Sequence, residues 1–428
     1  MDRRARTSRR PHSPAKTLLT VFVTAVIGIW GAVLAPARAQ TTSAAPSTSS
    51  VPSSSLVSSS APDSSVPQGS TTCIDERTVA SWPLIRQAGQ ILMFGMPITR
   101  AKFGRDLIRR YDLAGVLVRG NPRATDATAI QSLRDAKVGT PTIVAVDEEG
   151  GRVQHLRSAV GTIPSARLQA KLEPMKLRAL IAKHARGMRE LGFTMNFGPV
   201  VDLTPTTPIN NGIGDRSYGS DPTSVSIAAG AFVDGMLDGG IYPVLKHFPG
   251  HGNASGDTHN VGAKTPPWST LQAADALPFR TLTAGRPGRV GIMTAHLHVP
   301  GLDDRPISLS KPAITGVLRD QWRFDGLAVT DSLSMWSVST KFSAPDAAVE
   351  ALKAGNDLML YDNDPDLGAI ISRLANAAAT DKDIAARLIQ ANLRVLRAAG
   401  ANVCAGSLLG PVPTSSTPTA TTTSTTAL

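Results

Sequence analysis

Aromatic residues make up only 4% of this 428-residue sequence, and beyond residue 39 no basic run interrupts it. Nucleic-acid binding needs a clustered basic face with stacking aromatics, so it gains no support here. The formal charge of +11 does not reverse this. Residues 1–39 carry seven Lys/Arg (Arg3, Arg4, Arg6, Arg9, Arg10, Lys16 and Arg38) against Asp2; +11 less +6 leaves a mild +5 for the remainder. That balance suits an anionic cell envelope without singling it out. Cysteine is nearly missing: Cys73 and Cys404 are the two present. Cys73 lacks a lipobox-like Leu-Ala-Gly before it, which argues against a lipid anchor there.

Residues 1–39 have the layout of a secretory signal: a basic start, an uncharged apolar run over 18–34, and Ala37-Arg38-Ala39 as a small-x-small cleavage site. The competing reading is an uncleaved anchor, for which the run is short of the roughly 20 residues a spanning helix needs. Arg9-Arg10 is a weak hint of twin-arginine export. Residues 40–72 are Ser/Thr/Pro/Ala with almost no charge, too polar to bury a core, and read as a linker. Residues 410–428 have the same character. Residues 73–409 remain as one domain. In an exported chain an even cysteine pair at the two ends of that domain favours a Cys73–Cys404 disulfide.

Apolar, β-rich runs recur at 91–96, 114–119, 142–147, 194–202, 241–247, 290–298, 326–331 and 357–361. Helix-like stretches lie between them at 100–110, 124–136, 175–191, 222–238, 273–284, 311–321, 345–354 and 366–379, and 382–399 closes the series. Eight strands alternating with helices predict a TIM-type (β/α)8 barrel. Most of these strands end in polar residues: Asp147-Glu148-Glu149, Asp202, Lys246-His247, His296-Leu297-His298 and Thr330-Asp331-Ser332. Polar groups at the carboxyl ends of barrel strands converge on one mouth, where barrel chemistry is found. The fifth strand opens into Lys246-His247-Phe248-Pro249-Gly250-His251-Gly252-Asn253-Ala254-Ser255-Gly256-Asp257-Thr258-His259. Its glycines suit a loop that folds tightly or moves.

Four segments carry a resemblance: Val146-Asp147-Glu148-Glu149-Gly150-Gly151-Arg152-Val153-Gln154, Phe197-Gly198-Pro199-Val200-Val201-Asp202, residues 246–259, and Thr330-Asp331-Ser332-Leu333-Ser334-Met335. In this order the chain resembles glycoside hydrolase family 3, in its single-domain bacterial β-N-acetylglucosaminidase branch. The resemblance implies a retaining exo-β-N-acetylglucosaminidase with no cofactor and no metal. It implies Asp331 as nucleophile and an Asp257/His259 pair as general acid/base, with Asp147, Arg216, Lys246 and His247 as sugar contacts. A histidine suits proton transfer near neutral pH, and an adjacent carboxylate orients it. Thr330 and Ser332 can donate hydrogen bonds that hold Asp331 ionised, while Arg152 braces the Asp147 loop or is purely structural.

His155 stands where relatives place a ligand-binding arginine; either it takes over that contact, or Arg157 reaches in, or affinity and substrate choice differ. The implied substrates are peptidoglycan fragments or other N-acetylglucosamine-terminated glycans, handled by an exported monomer. Two other readings stay open: a metal-dependent barrel hydrolase built on His296-x-His298, and a non-catalytic glycan-binding barrel.

Overall fold

The computed structural model describes residues 73–204, 212–255, 263–362 and 365–407. The signal-like segment 1–39, the linker 40–72, the tail 410–428, and Asp257 and His259 lie outside the described residues. Among the described residues no helix is long and apolar enough to cross a membrane.

Eight parallel strands form one continuous sheet. In chain order they are β1 (Leu92–Pro97), β2 (Gly115–Arg119), β3 (Ile143–Val146), β6 (Met195–Asn196), β7 (Tyr242–Phe248), β8 (Gly291–Thr294), β9 (Ala328–Thr330) and β10 (Met359–Tyr361). The spatial order β10-β1-β2-β3-β6-β7-β8-β9 brings the last strand beside the first. The ring closes where Val329 bridges Leu358 and Thr330 N–H donates to the Leu358 carbonyl at 3.0 Å. The fold is a (β/α)8 barrel. The remaining pair, β4 (Glu148–Gly150) and β5 (Val153–Gln154), makes a small antiparallel hairpin at the mouth.

The strands are buried on both faces, so they read as near-continuous apolar runs: all of Ile143–Val146 and the first three residues of β1 are enclosed. Local chemistry sets where the helices begin and end. Glu173 and Asp221 accept hydrogen bonds from the first turns of Pro174–Leu191 and Pro222–Asp238, each with proline at the first helical position. Gly192 and Gly355 end their helices in the left-handed region that glycine tolerates.

Some elements differ from the sequence expectation. The strand expected over 194–202 pairs as β6 only at Met195–Asn196, with a bridge at Val200, because Gly198-Pro199 interrupts the ladder. The helix expected over 273–284 is two, Trp268–Ala273 and Leu277–Ala284, parted by the buried Asp275.

At the opposite end from the mouth, Cys73 and Cys404 form a disulfide with Cα atoms 4.9 Å apart. Main-chain bonds flank it: Ile74 N–H to Asn402 O at 2.8 Å and Cys404 N–H to Ile74 O at 2.9 Å. The same end buries Asp357, which binds Arg319 at 2.6 Å and Arg387, with Arg394 at 3.5 Å. Asp357 also accepts from Ala328 N–H at 2.8 Å. One carboxylate thus pins helices Pro312–Gln321 and Lys382–Ala398 beneath β9 and β10.

Candidate active site

The mouth of the barrel holds a cavity of about 730 Å³. It is lined by the carboxyl ends of β1, β2, β3, β7, β9 and β10 together with the hairpin and the 212–218 segment. Asp331, Asp147, Arg216, Lys246, His247 and His155 all line it. These six come from positions as far apart as 147 and 331, and the barrel gathers them because each follows or ends a strand or lies in a strand-end loop.

Lys246 is the hub. Its buried ammonium donates to Asp147 Oδ1 at 2.7 Å and lies 2.7 Å from Glu149 Oε1. Arg216 completes the pairing with two bonds of 2.8 Å to the Glu149 carboxylate. At the other side Arg119 grips Asp362 at 2.6 Å and approaches Asp147 at 3.8 Å. Cation and carboxylate therefore alternate around the wall. Burial alone would raise the Asp147 carboxyl, but Lys246 and Arg119 beside it hold it down at about 2. Glu149 is likewise lowered against its burial by Lys246 and Arg216, and the two carboxylates raise Lys246 despite its own burial. All three stay charged at neutral pH.

Asp331 follows β9 directly. Its backbone N–H donates to Thr294 O at 3.0 Å, and its Oδ1 accepts from Ser332 N–H at 2.8 Å. Burial works against ionisation, yet the His296 and His247 rings, the Ser332 N–H and Lys246 lower the carboxyl below its ordinary range. Ser332 helps as expected, through its main chain. Thr330 does not: its hydroxyl accepts from Leu360 N–H at 3.1 Å.

His247 is held from behind by Asp202, a buried residue whose role the motif alone did not show. Asp202 Oδ2 lies 2.8 Å from His247 Nδ1, and Oδ1 accepts from the N–H groups of His247 (3.1 Å) and His251 (2.7 Å). A carboxylate only accepts, so Nδ1 carries the proton and Nε2 is left as the other working atom. Asp202 is lowered against its burial by the His247 ring.

His155 reaches the cavity because Glu148 fixes the turn behind it: Glu148 Oε2 accepts from the N–H groups of His155 (2.8 Å) and Leu156 (2.9 Å). Arg157 instead donates to Gly151 O at 2.6 Å and is not part of the lining. Arg152 does not brace the Asp147 loop. It donates to Asp215 at 2.8 Å and to Gly212 O at 2.7 Å, holding the segment that presents Arg216. His296 has both ring nitrogens engaged, Nδ1 with Ser308 Oγ at 2.6 Å and Nε2 with Ser332 O at 2.8 Å. This makes it a support for the Asp331 turn and a poor metal ligand.

The described part of the loop that leads to Asp257 and His259 is packed closely. Gly250 has a φ of +132°, and a Cβ there would lie 2.6 Å from Asp275 Cβ. A Cβ on Gly252 would lie 1.9 Å from Leu203 O. Asn253 Nδ2 donates to Asp275 at 2.9 Å.

Residues 85–398 match the glycosyl hydrolase family 3 N terminal domain. A relative named beta-hexosaminidase LpqI from Mycobacterium tuberculosis is 42% identical over 300 residues, covering 67% of this chain and 75% of its own. The solved structure of M. tuberculosis LpqI superimposes with a TM-score of 0.71 at 37% identity, over 77% of this chain and 98% of that one. A beta-N-acetylhexosaminidase structure from Beutenbergia cavernae gives a TM-score of 0.70 at 29% identity, over 75% and 99%.

Proposed function

We propose a function from one established premise, that the chain belongs to glycosyl hydrolase family 3 and is a glycoside hydrolase: it is an exo-acting retaining β-N-acetylglucosaminidase. The observation that carries this reading is a half-buried, ionised Asp331 opening onto a cavity walled in part by paired charges suited to a polyol. Asp331 attacks C1 of the terminal sugar, and the bond to the leaving oxygen breaks as His259 donates its proton. Asp257 orients the His259 ring. In the second step His259 takes a proton from water, and the hydroxide oxygen displaces Asp331.

Asp147, Arg216, Lys246 and His247 serve as sugar contacts, their positions fixed by their own ion pairs before any ligand arrives. His155 takes the contact that relatives give to arginine. The signal-like residues 1–39 support export to the cell envelope. There, peptidoglycan fragments with terminal β-1,4-linked N-acetylglucosamine are the natural class of substrate.

The test is hydrolysis of a chromogenic N-acetyl-β-glucosaminide. Asp331→Ala is expected to lower kcat by at least about 1,000-fold, and His259→Ala by about 100-fold or more. An Asp331→Ala enzyme that keeps most of the wild-type rate overturns the mechanism. Proton NMR of the first product formed should show the β-anomer; an initial α-anomer excludes retention.

A further inference from the structure

The cavity changes character from floor to rim. Near Asp331 the lining is ionic and enclosed, with Glu149 and Lys246 each 3% exposed. Towards solvent an apolar group joins Arg100 and the open Arg119: Trp336 is 44% exposed, with Met335 beside it and Pro97 contributed by the end of β1. A tryptophan left this open on the wall of a polar cavity keeps a good part of its large apolar surface in solvent.

Its base is rigid. The Met335 carbonyl accepts from the N–H groups of Val338 (3.0 Å) and Ser339 (2.9 Å), and the Trp336 carbonyl from the Thr340 hydroxyl at 2.7 Å. Met335 N–H donates back to Ser332 O at 3.0 Å, tying this turn to the residue that follows Asp331. Trp336 therefore lies one tight turn along the chain from Asp331, among the lining residues that stay open to solvent. A terminal sugar seated on the floor would project its leaving group that way. The volume is in the range that encloses a drug-sized ligand, larger than one sugar ring.

Building on the glycosidase reading, we infer that Trp336 is the platform for the sugar ring on the leaving side of the scissile bond, and that it selects glycans over glycosides with small aglycones. The C–H face of a pyranose packs on the indole while its hydroxyls remain in water, a match that an alkyl or short peptide group does not offer. Trp336 acts on specificity through the aglycone and takes no part in the second step, when the aglycone has gone.

The experiment compares N,N′-diacetylchitobiose with methyl N-acetyl-β-glucosaminide, which shares the reacting sugar and lacks the second ring. In Trp336→Ala the ratio of kcat/KM values, disaccharide over methyl glycoside, is expected to fall roughly ten-fold from wild type. Trp336→Phe should recover most of it. The ratio is independent of how much enzyme is folded, so a poorly folding variant still answers the question. A ratio that does not move in Trp336→Ala, with wild type active on both substrates, overturns the platform and leaves the glycosidase reading standing. A wild type that cleaves neither substrate overturns the glycosidase reading, and the platform with it.

Discussion

At the scale of single residues, Asp147 shows how much of the site is electrostatic construction. Its carboxyl is held at about 2, against an ordinary 3.8, by Lys246 and Arg119 overcoming the effect of burial. A carboxyl lowered in the folded state stabilises the fold at pH values above its ordinary range. That contribution disappears as pH falls from about 4 towards 2, and is worth about 2 kcal/mol. Thermal unfolding followed from pH 5 to pH 2 should therefore show a steep acid loss, to which lowered Glu149, Asp202 and Asp331 add in the same direction. Asp147→Asn should be less stable than wild type at pH 7 and decline less steeply below pH 4; a parallel decline contradicts this account.

The sequence pointed to Asp147 and Lys246 because each ends a recognisable motif. It did not point to Arg119 or Asp362, which bind each other across 243 residues and sit in segments with no chemical signature of their own. Asp202 fell between: its motif was visible, while its grip on His247 depends on a strand crossing that only the folded ring creates.

Among the elements, the strands were legible for a physical reason. Parallel strands under a cover of helices are apolar on both faces, and runs such as Ile143–Val146 have no other plausible place. The β4/β5 hairpin was not legible, because Glu148-Glu149-Gly150 has the composition of a loop. It holds as a strand with the Glu148 side chain satisfied by His184 at 2.9 Å and by main-chain N–H groups, and its main chain by Asn196.

The loop after β7 was legible as chemistry but not as packing: glycine at 252 answers a close approach to Leu203 O, not a special backbone angle. Gly252→Ala must displace one of those two segments. Displacement of a catalytic group by about 1 Å can cost about 100-fold in rate. The variant is therefore expected to lose at least about ten-fold in kcat with a smaller change in the inhibition constant of free N-acetylglucosamine. Equal kcat in variant and wild type would refute the link between this segment and the proposed acid/base pair.

At the scale of the whole molecule, the two ends of the barrel divide the work. The mouth carries paired charges around a cavity; the other end is closed by Asp357 beneath three arginines and by the Cys73–Cys404 bridge. That bridge joins positions 331 residues apart, so nearly the whole described chain is one covalent ring. A protease that cuts once inside the ring opens it without dividing it into two molecules. Both pieces keep a bond to each other, and re-closing a gap between tethered pieces costs far less entropy than re-associating free ones. A singly nicked enzyme should run as one band on a denaturing gel without reductant and as two with it, and its activity should survive nicking until reductant is added. Activity lost at the moment of the cut, before reduction, would show that the ring does not hold the site together.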